Sequence, residues 1–285
     1  MIDISHLQSH PMPVAQTSLL MSRPFTTPSK SLSIYKHQKP SHAPQPNSQN
    51  KSQERTCKLK PLAIKVDDEL HGNVSGFLHI PQHYRHTKAT AREKTAAILL
   101  SGSSGGVLGP SSIYPSIADK LASLPNGILV LRLDYRYPGM NKYCVADVQA
   151  AMKYLETRYA ISRFVLVGWS FGGAPVFTLG GSDKRVVACA AVASQTAGTN
   201  GIGRMAPKPV LLMHGTGDRR LGSSCSRRLF ELYGRRGERE LKLFEGDGHS
   251  LRKNAGGGWE DVVCFCVEVC WGGEEEGCAE EVGER

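Results

Sequence analysis

The sequence predicts an α/β fold: a mostly parallel central sheet with helices on both faces. Three observations lead there. Short, continuous apolar runs recur between residues 74 and 244, as strands buried on both faces require. Stretches with helical spacing separate them in β, α, β, α order. Three of the runs end in Gly-rich turns that carry polar residues, and open α/β sheets build their sites at the carboxyl ends of strands.

The elements follow in order. Val74–Ile80 reads as an early strand and Thr95–Leu100 as a central one, followed by the Gly-rich stretch Gly102–Gly106. Ile113–Leu124 has helical spacing and is stopped by Pro125-Asn126-Gly127. Ile128–Leu133 is the next strand. Val145–Tyr159 is an amphipathic helix with Val145, Val148, Met152 and Leu155 on one side. Phe164–Val167 and Arg185–Ala193 are buried strands. Pro209–Met213 and Glu240–Phe244 are two more, with a helix over Ser223–Tyr233 between them. A closing helix is expected from Glu260 to Cys270. Between Ser194 and Lys208 the chain is short and Gly-rich, leaving no room for an inserted cap domain.

Composition divides the 285 residues unevenly. Residues 1–60 are rich in Ser, Pro, Gln and His, show no apolar face, and are expected to be a disordered basic extension. Residues 61–271 are expected to form the folded domain, and 272–285 an acidic, Gly-rich disordered tail. The net charge of +9 is no nucleic-acid footprint, because eight Lys or Arg against Asp3 and Glu54 place most of it in residues 1–60. Such a basic, Ser-rich segment can be a targeting peptide, including a mitochondrial one. No apolar run reaches the ~20 residues of a membrane span. The eight cysteines lack paired C-x-x-C spacing, so no metal or other cofactor is expected, and a reducing, cytoplasmic setting is.

The chemistry centres on Gly168-Trp169-Ser170-Phe171-Gly172, which joins the strand Phe164–Val167 to a small-residue helix start. A serine in so sharp a turn exposes its hydroxyl, and tight backbone packing wants glycine on both sides. Downstream, one strand ends in His214-Gly215-Thr216-Gly217-Asp218 and another in Gly246-Asp247-Gly248-His249. Ser170, Asp218 and His249 thus occur in the order nucleophile, acid, base. Asp247 competes with Asp218 for the acid but reads as a residue that shapes its own turn. His214 reads as structural, since the base follows the acid in this order.

These motifs resemble the α/β-hydrolases, most closely the compact, lidless members grouped with dienelactone hydrolases, over about Val74–Leu251. Leu131-Arg132-Leu133-Asp134-Tyr135-Arg136 is similar to that family's strand ending in Asp-x-Arg. Ser101 stands where the family usually has histidine before Gly102, and dienelactone hydrolases proper have cysteine where this chain has Ser170. The resemblance implies a triad of Ser170, Asp218 and His249, with an oxyanion hole from the backbone N–H groups of Phe171 and Ser103. It also implies cleavage of a small acyl substrate: an ester, thioester or lactone. A peptidase or deacylase acting on peptide substrates and a non-catalytic binding scaffold are the alternatives.

Overall fold

A computed structural model describes residues 30–35, 57–84, 94–254 and 258–271. Its strands are β1 (Lys30–Tyr35), β2 (Cys57–Lys65), β3 (Asn73–Pro81), β4 (Thr95–Leu100), β5 (Leu129–Leu133), β6 (Arg163–Trp169), β7 (Val186–Val192), β8 (Val210–Gly215) and β9 (Arg239–Phe244). The helices are α1 (Tyr114–Ser123), α2 (Asn141–Tyr159), α3 (Gly173–Gly180), α4 (Ser224–Tyr233) and α5 (Gly258–Trp271).

The nine strands form one sheet in the order β1-β9-β8-β7-β6-β4-β5-β3-β2. The β2–β3 and β3–β5 pairs are antiparallel and all others parallel. Both faces are covered, so the central strands are largely apolar. In β4, Ala96, Ile98 and Leu100 pack on one side with α2, α3 and α4, through Val148, Met152, Phe177 and Leu229. Ala97 and Leu99 pack on the other with α1 and α5, through Tyr114, Leu121, Trp259 and Val262. Strand period two divides consecutive residues between two cores.

The sequence reading stopped the basic extension at residue 60, and the structure corrects that boundary. β2 starts at Cys57, and β1 lies wholly inside the segment expected to be disordered. Edge strands escape an apolar-run criterion for a physical reason. One side of an edge strand pairs and the other meets water, so its sequence needs no continuous apolar stretch. β2 is mostly exposed and carries Pro61, which an edge position tolerates. The rest of residues 1–60 and the tail 272–285 lie outside the described residues.

Between β7 and β8 there is only a single short 3₁₀ helix, Asn200–Arg204, and no cap. No helix among the described residues is long and apolar enough to cross a membrane.

Helix α2 ends on Ala160, whose φ of 53° and ψ of 35° are left-handed and whose N–H bonds the Leu155 carbonyl. This exposed position suits glycine. Ala160→Gly is expected to raise the unfolding free energy by about 1 kcal/mol in urea denaturation.

Candidate active site

β6 ends in the centre of the sheet, and the chain must turn at once into α3. Ser170 makes that turn with φ of 56°, a left-handed conformation that serine adopts only at a cost of about 1–3 kcal/mol. The flanking glycines follow from the same geometry. A Cβ on Gly168 would lie 2.4 Å from the Gly172 carbonyl oxygen, and one on Gly172 would lie 2.7 Å from the carbonyl oxygens of Leu100 and Ser101. Both obstacles are backbone, which cannot swing aside as a side chain can. The serine is therefore presented at the carboxyl edge of the sheet, ahead of α3.

Ser170, Asp218 and His249 meet there, although 79 residues separate the serine from the histidine. His249 Nε2 lies 2.9 Å from Ser170 Oγ, and His249 Nδ1 lies 2.6 Å from Asp218 Oδ2. Asp218 Oδ1 accepts from the backbone N–H groups of Arg220 (2.8 Å) and Leu221 (3.0 Å). Burial alone would raise the Asp218 pKa, but the hydrogen bond from His249 and these two N–H groups outweigh it and hold the carboxyl below its ordinary value. Trp169 secures the loop behind the imidazole: its Nε1–H donates to the His249 carbonyl at 2.9 Å, and the two rings sit 5.4 Å apart.

Asp247 is buried and turned away from this group. Its Oδ1 takes the N–H of Gly248 and its Oδ2 takes both the N–H and the side-chain amide of Asn254. It shapes the turn that carries His249. His214, read from sequence as structural, is wholly buried but stands closer to the site than that reading implied, with Nε2 3.3 Å from Asp218 Oδ2.

The Gly-rich loop after β4 lies against the serine, for a Cβ on Gly102 would touch the Trp169 ring at 3.3 Å and Ser170 Cβ at 3.5 Å. Ser103 follows directly. Asp134 supports this loop, accepting from the Gly106 N–H at 2.6 Å and from the Tyr135 N–H at 2.9 Å. Arg136 ties the end of β5 to Asp147 at 2.5 Å and to Asp68 at 2.6 Å. Its hydrogen bonds lower the Asp68 pKa, while burial raises that of Asp147. Ser101, where the resemblance expects histidine, is buried, and its hydroxyl has no hydrogen-bond partner among the described residues.

Sequence reasoning missed a second anchor of the loop. Arg132, buried in β5, donates from Nη1 to the Val107 carbonyl at 3.1 Å and from Nε to His79 Nε2 at 2.9 Å. Its only sequence signal is a lone charge within an apolar strand. His79 Nδ1 in turn lies 2.7 Å from Asp119 Oδ1, and Cys57 Sγ lies 3.4 Å from the same oxygen. Among the described residues these three are the group spaced closely enough to ligate a metal. They do not fit one in this arrangement. Arg132 Nε can only donate, so His79 Nε2 accepts and the ring proton sits on Nδ1, leaving no lone pair there for a cation.

No protein-family model and no curated protein matches the chain. Solved structures do match. Est1E from Butyrivibrio proteoclasticus aligns with a TM-score of 0.58 at 16% identity, over 72% of this chain and 98% of its own. The Pyrococcus furiosus esterase Pf2001 aligns with a TM-score of 0.60 at 15% identity, over 79% of this chain and 94% of its own. A putative dipeptidyl aminopeptidase IV from Bacteroides ovatus aligns with a TM-score of 0.60 at 12% identity, over 76% of this chain but 36% of its own. The likeness is one of architecture, and it is shared with an α/β hydrolase, GrgF from Penicillium, at a TM-score of 0.54. This chain has the α/β-hydrolase fold.

The strain at Ser170 gives a stability test. Ser170→Gly relieves the left-handed backbone and Ser170→Ala does not, so the glycine variant is expected to be the more stable of the two by about 1 kcal/mol in chemical denaturation.

Proposed function

We propose that the protein is a serine hydrolase that cleaves a small carboxylic ester, thioester or lactone through an acyl-enzyme. The observation that carries this reading is the unbroken hydrogen-bonded run from Ser170 Oγ through His249 to Asp218 at one edge of the sheet.

A serine hydroxyl is a weak nucleophile until a base takes its proton. His249 Nε2 takes it as Oγ bonds the substrate carbonyl carbon, and Asp218 keeps the ring in the tautomer that leaves Nε2 free to accept. The carbonyl electrons move onto oxygen, where the backbone N–H groups of Phe171 and Ser103 would receive them. Each such donor contributes on the order of 3 kcal/mol to the transition state. When the tetrahedral species collapses, the carbon–leaving-group bond breaks and His249 returns the proton to the departing oxygen or sulfur. Water, deprotonated by His249, then attacks the acyl-enzyme and restores Ser170.

The connection between β7 and β8, too short for a cap, supports an open site and a small substrate. One of the similar structures, Pf2001, is named an esterase, which supports the ester class. Compactness and the missing cap support the nearer likeness to the dienelactone hydrolase group. Serine in place of that group's cysteine directs the choice to esters other than the dienelactone itself. The complete Ser, His and Asp set supports catalysis over a purely binding role.

Ser170→Ala is expected to abolish both turnover of short p-nitrophenyl esters and labelling by a fluorophosphonate probe. Labelling that survives this substitution would remove Ser170 from the mechanism. Asp218→Asn is expected to lower kcat by roughly 10⁴-fold with folding intact, because the wrong tautomer is then favoured.

A further inference from the structure

His214 is the penultimate residue of β8, four residues before Asp218, and the steps above give it no task. Its surroundings place one ring proton. Nε2 lies 2.9 Å from the Leu221 carbonyl oxygen, which can only accept, so Nε2 carries a proton. In the neutral ring Nδ1 is an acceptor and takes the hydroxyl hydrogen of Ser226, on α4, at 2.7 Å. The same Nε2 is 3.3 Å from Asp218 Oδ2, the oxygen that also receives His249 Nδ1 at 2.6 Å.

We infer that His214 is a positioning residue for the proposed reaction. As a neutral imidazole it shares its Nε2 proton between the Leu221 carbonyl and Asp218, and so sets how firmly Asp218 holds the protonated form of His249. The inference rests on the Ser170–His249–Asp218 reading of the site. Neutrality is essential to it: a cationic His214 would compete with His249 for the carboxylate, whereas a neutral donor orients that group and leaves its charge available. Burial favours this state by pushing the His214 pKa below the ordinary histidine value. The groups bearing on Asp218 come from three elements. β8 supplies His214, the residue's own turn supplies the N–H groups of Arg220 and Leu221, and the loop after β9 supplies His249. Asp247, on that last loop, is engaged by Gly248 and Asn254 instead.

Removing the donor concentrates negative charge on the oxygen facing His249 and strengthens its grip on the imidazolium. The low-pH limb of kcat/KM should therefore move to higher pH. In the full-length protein, His214→Leu is expected to shift that limb upward by about half a pH unit and lower kcat about ten-fold. The low-field proton resonance of the His249–Asp218 hydrogen bond should shift with it. His214→Gln, whose amide N–H can reach the same acceptors, should restore most of the limb position and the resonance. Ser226→Ala removes the hydroxyl that holds the other side of the ring in place without opening a large cavity, and should move both in the same direction by less. If His214→Leu fails to fold, the comparison of wild type, His214→Gln and Ser226→Ala decides.

A low-pH limb and resonance unchanged in a folded His214→Leu, or in Ser226→Ala, would overturn the inference. So would a His214→Gln protein that behaves like His214→Leu. The resonance needs no turnover. A wild type without Ser170-dependent hydrolysis would therefore sink the proposed reaction alone, and an immobile resonance would sink the role of His214 alone.

Discussion

The close approach of backbone to backbone at Gly168 and Gly172 is the constraint on which the rest of the structure depends. It lets β6 turn into α3 within a few residues, at the price of a left-handed serine. That strain persists because the neighbours on every side are fixed. Apolar strands buried between two helical layers hold β6 and β4 in register, and the end of β4 supplies the carbonyl oxygens that Gly172 approaches. The hydroxyl is held out by the same packing that keeps the sheet together.

Around that serine the polar groups are tied down one by one. Both oxygens of Asp218 are engaged, one by two backbone N–H groups and the other by His249, with His214 Nε2 3.3 Å away. Asp247 fixes the turn bearing His249, and Trp169 fixes the backbone behind it. The Gly-rich loop is held from beneath by Asp134, just past the end of β5, and by Arg132, its penultimate residue. Groups that must not reorganise during a reaction gain most from such support, since preorganised dipoles act without further cost when charge develops.

Much of this was legible in the residues themselves. Strands buried on both faces need continuous apolar runs, and β4, β5, β6, β7 and β8 have them. The glycines around Ser170 announce a turn that no other residue would tolerate, and the order of serine, aspartate and histidine follows the chain. The edge strands β1 and β2 were not legible, because a strand that pairs on one side needs no continuous apolar run and its pairing is made by backbone that carries no residue code. Arg132 and His214 were equally silent, each a polar residue in an apolar strand whose partners lie far along the chain.

By itself the sequence determined the layered α/β architecture, the missing cap and the three residues from which a site is built, since periodicity and turn chemistry are local properties. The tertiary structure put distances to the choice the sequence favoured, with Asp218 facing His249 and Asp247 locking its own turn. It also decided that Arg132 reaches the loop after β4, and that a second imidazole stands behind the carboxylate. These are matters of distance between residues remote in the chain, and they are settled by the packing of sheet and helices rather than by any neighbour in sequence.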